Sequence, residues 1–353
     1  MTFLQHVLEP PSYGFKKADG SLYIPSKKEI FSEFFFRTNI FKTPKNWLSF
    51  VSWSATLSLI IPFAIFMSYF FSWKLMIFGL AYSMIVMGTH GTIYLHRYST
   101  HRAFKFTNRA YLFFARNLSI KVIPEEIYVI SHHVHHQFSE QAGDPYNVHG
   151  GWLYCFLSDV NHHPIARNMS EKEYLQLTRL MNHTGVKLNS YTQYKRWGSL
   201  AHPARTVAHY ALNWAAWFGI FYAIGGPSVA FAIFGMAVIW AFGVRTFNYD
   251  GHGGGKDKRV DGVDFNRRDL SINQIWPGYV SGEWHNNHHL YPNGARAGFL
   301  WYQLDLAWIF VRVYSLLGGI SVYRDYKREF HRDYYRPYLA SKKLKRAPAV
   351  GSA

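Results

Sequence analysis

The residues with most chemistry to offer are histidines in three clusters: His96-Arg-Tyr-Ser-Thr-His101, His132-His-Val-His135-His136 and His285-Asn-Asn-His288-His289. Imidazole suits zinc, copper, iron and nickel, and this many donors exceed the four that one structural zinc takes. The sole cysteine, Cys155, excludes an internal disulfide and a four-thiolate site, and reads as an ordinary packed thiol. Two metals held almost wholly by nitrogen is the first inference. Successive helical residues advance about 100°. His132, His135 and His136 then share one arc of roughly 100°, as do His285, His288 and His289, and each triplet is expected to aim at one point. His96 and His101 stay within reach of one face at a helix end, and His133 falls outside its neighbours' arc. No His-Glu-x-x-His occurs, which removes the zinc-protease arrangement. The Glu-x-x-His pattern of carboxylate-rich diiron bundles is absent too. What remains favours iron used on dioxygen, with other imidazole-loving metals left open.

Apolar stretches must position these clusters. No Asp, Glu, Lys or Arg occurs from Asn46 to Trp73, from Leu75 to His96, or from Thr206 to Val244. About 20 helical residues cross a hydrocarbon core of about 30 Å. The third stretch is roughly twice that length and is broken by Gly225-Gly226-Pro227, so it reads as two spans and a tight turn. The expectation is an all-α integral membrane protein. Four transmembrane helices in two hairpins, about 47–71, 75–95, 207–224 and 228–247, carry a cytosolic helical cap that holds a dimetal site. Residues 1–46 form an amphipathic cytosolic lead-in without a signal-peptide core. The membrane domain covers 47–320, and 321–353 is a basic cytosolic tail. Segment 111–120 is expected to lie on the membrane rather than cross it, and Asp305 and Arg312 argue against a fifth crossing by the amphipathic segment 299–317. The net charge is +17, and Lys74 is the one charge between the first two spans. Nearly every basic residue thus falls on the side shared by both termini and the central loop, which the positive-inside rule makes cytoplasmic. That placement explains the charge without nucleic acid. With an even number of spans between them, all three clusters meet one membrane face.

The clusters, in order and with two hairpins between them, resemble the membrane fatty acyl desaturases, whose boxes read H-x4-H, H-x2-H-H and H-x2-H-H. His132 to Asn147 (HHVHHQFSEQAGDPYN) is similar to the second box with its trailing Asp-Pro-x-Asn. Asn248-Tyr-Asp-Gly-His252 matches the N-x3-H after the fourth helix, and Ala295 to Asp305 matches the extension of the third box. The resemblance covers roughly residues 45 to 320. It implies His96, His101, His132, His135, His136, His252, His285, His288 and His289 as ligands of two iron ions, with Asn248 acting through water. Ile130-Ser131 stands where acyl-CoA members usually carry Arg-Asp. The tail pattern with Trp301, Gln303 and Asp305 is closer to bacterial and plant-type members, many of which act on lipid-bound chains.

The resemblance implies that dioxygen and two external electrons remove two hydrogens from adjacent methylenes of a saturated chain, leaving a cis double bond. The acyl donor would be acyl-CoA, acyl-lipid or an acyl carrier. Lacking a Cys cluster or a His-Pro-Gly-Gly signature, the chain implies a separate ferredoxin, or cytochrome b5 with its reductase, as electron donor. The expected location is a bacterial inner membrane or the endoplasmic reticulum, with the active site and both termini cytoplasmic. A hydroxylase of the same superfamily is the nearest alternative. A metal transporter is disfavoured, because transporters place their ligands within the spans. His90, His149, His162, His163 and His209 read as structural. Asp144, Glu140, Glu283 and Asp264 are expected to support the ligating rings.

Overall fold

The computed structural model describes residues 3–252 and 284–346. Helix α1 (Lys27–Thr38) opens on a capping box, in which Ser26 and Glu29 satisfy each other's backbone N–H groups. Helices α2 (Pro44–Phe70) and α3 (Trp73–Thr100) follow, with 27 and 28 residues. At 1.5 Å per residue each is about 40 Å long. The short α4 (Arg109–Arg116), α5 (Glu125–Phe138), α6 (Glu171–Met181) and α7 (Tyr191–Trp197) form the central region. Helix α8 (Pro203–Gly251), α9 (His285–Leu290), α10 (Leu306–Leu316) and α11 (Arg336–Arg346) follow, with single short turns of helix between some of these elements.

Three helices are long and apolar enough to cross a membrane: α2, α3 and the 45 residues Pro203–Phe247 of α8. The last is not one rod. Its backbone leaves helical geometry at Gly225 and Gly226, the latter at φ +70°, where a side chain would be strained. Trp214 and Phe234 have ring centroids 5.9 Å apart, and Phe218 and Phe231 5.3 Å. Along a straight helix these pairs, twenty and thirteen residues apart, would be separated by about 30 and about 20 Å, so α8 doubles back into two antiparallel halves. Both halves pack on the first hairpin, with Tyr82 against Phe221 at 5.2 Å and Phe70 stacked on Phe231 at 5.7 Å. The outer faces stay apolar and exposed, as at Ile61, Tyr69 and Ile224.

The central region sits at the Thr100 end of α3. Helix α4 exposes Phe113 and Phe114, and its Ala115 carbonyl is 3.0 Å from His90 Nε2, which gives that intrahelical histidine a structural partner. His209 meets the Asn117 side chain at 2.7 Å, and His162 the Tyr13 hydroxyl at 2.6 Å. One element departs from the all-α expectation. Strands β1 (Phe104–Phe106) and β2 (Ile320–Tyr323) pair antiparallel. Each is too short to show a period in sequence, and the pairing joins segments over 200 residues apart.

Candidate metal centre

The first pair of histidines depends on an unusual helix end. The last ten residues of α3, Gly91–Thr100, are π-helical, and the His101 N–H donates to the His96 carbonyl at 3.1 Å. In an α-helix, residues five apart would diverge by about 140°. Closing the ring at i→i+5 places them one above the other, with ring centroids 5.0 Å apart. The x4 spacing is thus matched to a π-turn.

Helix α5 supplies the second cluster. Pro124 precedes it, and Glu125 and Glu126 occupy its first turn, where the dipole favours negative charge. Helix α9 supplies the third cluster and starts from Trp284 in the left-handed region at φ 60°. His252, the last described residue before position 284, follows the end of α8.

All nine histidines expected as ligands converge, in two groups. One contains His96, His101, His132, His136 and His288; the other contains His135, His252, His285 and His289. Within each group the ligand nitrogens lie within 4.8 Å of one another. This corrects the expectation that each triplet aims at one point. Relative to residue i, residue i+4 is turned by about 40° one way and i+3 by about 60° the other. Each triplet therefore straddles the two groups, sending its i,i+4 pair to one and its i+3 ring to the other. His133 belongs to neither group. Asn248 lies on the α8 backbone, and its side chain is outside the described residues.

The donor set fits a pair of metal ions. Nε2 atoms approach at 3.2 Å for His132–His136 and His136–His288, and at 3.1 Å for His252–His285 and His285–His289. Imidazole nitrogens bound to one metal at about 2.0–2.1 Å stand roughly 3.0–3.4 Å apart. Nε2 of both His96 and His101 is buried with no hydrogen-bond partner among the described residues, a costly arrangement unless something accepts the lone pair. Burial, reinforced by neighbouring rings, holds His101, His132, His136, His285, His288 and His289 well below the usual imidazole range. The rings are thus neutral donors, the form a metal requires.

The loop after α5 orients several rings. Glu140, at φ 62°, turns the chain back, and its N–H donates to Asp144 at 2.8 Å. His135 Nδ1–H donates to the fully buried Asp144 carboxylate at 3.0 Å, and His252 Nδ1–H to Glu140 at 3.0 Å. Tyr146 hydrogen-bonds His132 through Nδ1. Each contact leaves Nε2 for the centre. Sequence reasoning named Asp144 and Glu140 and missed Tyr146, whose position two residues beyond Asp144 was the available signal. Glu283 and Asp264 lie outside the described residues. Asp144→Asn is expected to weaken metal binding by the second group about 10–100-fold, read as faster metal loss to a chelator with the helical circular dichroism unchanged.

The third cluster is braced by the segment after it. Gln303 Oε1 accepts from the N–H groups of Phe299 and Leu300 and from Asn287 Nδ2. Asp305 accepts from the N–H groups of Ala297, Gly298 and Trp308, so it caps α10 while holding the loop. A Cβ at Gly298 would stand 2.5 Å from the Gln303 carbonyl, so only glycine passes there. Arg97, beside His96, forms a buried ion pair with Asp305 at 2.9 Å and donates to the Ala295 carbonyl at 2.6 Å. The first and third clusters are thereby locked together. Trp301, in contrast, is 85% exposed.

Comparison with known proteins agrees with this geometry. The fatty acid desaturase family model matches residues 71–317. The chain is 29% identical to the chloroplastic palmitoyl-monogalactosyldiacylglycerol delta-7 desaturase of Arabidopsis thaliana, over 74% of this chain and 64% of that protein. It is 26% identical to the sn-1 stearoyl-lipid 9-desaturase of Synechocystis sp., over 86% and 91%. It is 25% identical to the icosanoyl-CoA 5-desaturase of Limnanthes douglasii, over 75% and 69%. With that match across most of its length, the chain belongs to the fatty acid desaturase family, an oxygen-dependent class of oxidoreductases.

Proposed function

We propose that this protein introduces a cis double bond into a saturated fatty acyl chain, using dioxygen, two external electrons and two iron ions. The observation that carries this reading is the convergence of nine buried or half-buried imidazoles into a group of five beside a group of four. His96, His101, His132, His136 and His288 would hold one ion, and His135, His252, His285 and His289 the other. When bound, the metal pair supplies the oxidising power that takes two hydrogens from adjacent methylenes while dioxygen becomes two waters. The electrons balance, since the substrate gives two and the external donor gives two. The chain's own residues act by position. Unactivated methylenes offer nothing to a general acid or base, so rate must come from holding one C–C bond beside the oxidant. Asp144, Glu140 and Tyr146 keep the ligand rings turned inward, and the surrounding burial excludes water.

Topology supports the reading. Taking α2, α3 and each half of α8 as a crossing gives four, and the membrane domain then spans residues 47–320. All three clusters then share one face with nearly all the Lys and Arg, which the positive-inside rule makes cytoplasmic. An acidic donor protein, ferredoxin or cytochrome b5, suits that basic face. The names of the relatives include both lipid-bound and CoA-bound substrates.

The test uses the full chain purified with iron and supplied with a ferredoxin–reductase system and oxygen. Stearoyl-CoA, stearoyl-acyl carrier protein and stearoyl phospholipid are offered separately, and products are analysed by mass. A product lighter by two hydrogens is expected from at least one donor. Gain of an oxygen atom instead would make the protein a hydroxylase, and no product from any donor would sink the reading.

A further inference from the structure

Outside the nine-histidine centre, Arg102, Lys105 and Arg324 line a cavity of ≈ 450 Å³ with Tyr98, Phe104 and His183. None of its lining residues is acidic among the described residues. All three cations are exposed, and like charges lining one concave surface raise the local concentration of anions. The backbone holds them there. Arg102 lies at φ 50°, in the left-handed region, and its guanidinium donates to the Arg179 carbonyl. The Arg324 N–H donates to the Ala103 carbonyl at 3.0 Å. Lys105 sits in β1, paired with Val322 of β2. A further unspent polar atom is present: Nδ1 of His183 is buried with no partner among the described residues.

We propose that this basin binds a phosphate-bearing headgroup. A guanidinium presents a fork matched to phosphate oxygens, and Lys105 adds a point charge. The aromatic floor of Tyr98 and Phe104 receives the apolar part of the group. Two sources carry this chemistry. One is membrane phospholipid, because Val322 in the wall is 61% exposed, and α10, which packs on β2, ends on exposed Leu316 with exposed Leu317 beyond it. The other is a soluble carrier such as coenzyme A. The site goes beyond the desaturation reading and stands independently of it.

The experiment titrates detergent-purified, delipidated full-length protein with dioctanoyl phosphatidylglycerol, with coenzyme A, and with neutral dioctanoylglycerol as control. Binding is read by thermophoresis, beside iron content. The double variant K105Q/R324Q is expected to lose about thirtyfold in affinity for the phosphate probes, taking about 1 kcal/mol per cation near phosphate. Its iron content should be unchanged, and K105R should bind like the parent. Charge-dependent binding of phosphatidylglycerol alone assigns the site to lipid, and of coenzyme A alone to a soluble carrier; binding of both leaves phosphate itself as the recognised group. Absence of binding by both phosphate probes overturns the proposal, as does equal affinity in K105Q/R324Q. Should that variant lose iron, the parent protein decides: affinity that does not fall between roughly 50 and 500 mM salt overturns it equally.

Discussion

Replacing His252 with alanine is expected to remove one of two metals and to abolish turnover. His252 Nε2 stands 3.1 Å from that of His285, within the four-histidine group. A structural metal is bound with about 10–16 kcal/mol shared over four ligands. Losing one therefore costs roughly 3 kcal/mol, a hundredfold or more in affinity. The five-histidine group shares no ligand with it and should keep its ion. Elemental analysis of the purified variant should find about one iron per chain where the parent has about two, with product below detection. Retention of both ions with normal turnover would show that His252 is a bystander.

The second large effect concerns Asp305, which touches no ligand. It carries the buried ion pair to Arg97 and accepts three backbone N–H groups around the third cluster. Asp305→Ala removes one side of the buried Arg97–Asp305 pair, a change that typically costs about 3–5 kcal/mol. It also removes the cap of α10, worth about 1 kcal/mol. Denaturation of the purified variant should show that loss, together with depleted metal, because the brace aligns His96 with His285, His288 and His289. In the Arg97→Met/Asp305→Ala double variant the two costs should fall short of their sum, since both residues act through one shared pair. A single-variant cost under about 1 kcal/mol would mean that the pair is not the brace.

Much of the site was legible in one dimension because metal ligation demands particular atoms at particular spacings. Nine imidazoles could be named from box spacing and family resemblance. The long uncharged runs exposed their helices because a hydrocarbon environment tolerates little else. The reversal at Gly225-Gly226 was readable from composition, as helix-breaking residues punctuate an otherwise uniform apolar stretch.

Other features depend on angles and on distant partners. Spacing alone suggested that His132, His135 and His136 serve one point. Only the placement of α3, α5 and α9 around a shared centre shows that His135 faces away from its neighbours towards His252. Whether His96 and His101 align turns on a π-turn, a local choice of hydrogen-bond ring that composition does not announce. The β1–β2 pair, the Arg97–Asp305 brace and the Tyr146 contact each join residues whose types are unremarkable in isolation. Donor chemistry and helix length are properties of residues and short segments, so sequence by itself determined which groups meet and what they can bind. The partition of those groups, and what holds each ring in place, were decided only when the tertiary structure brought remote segments within bonding distance.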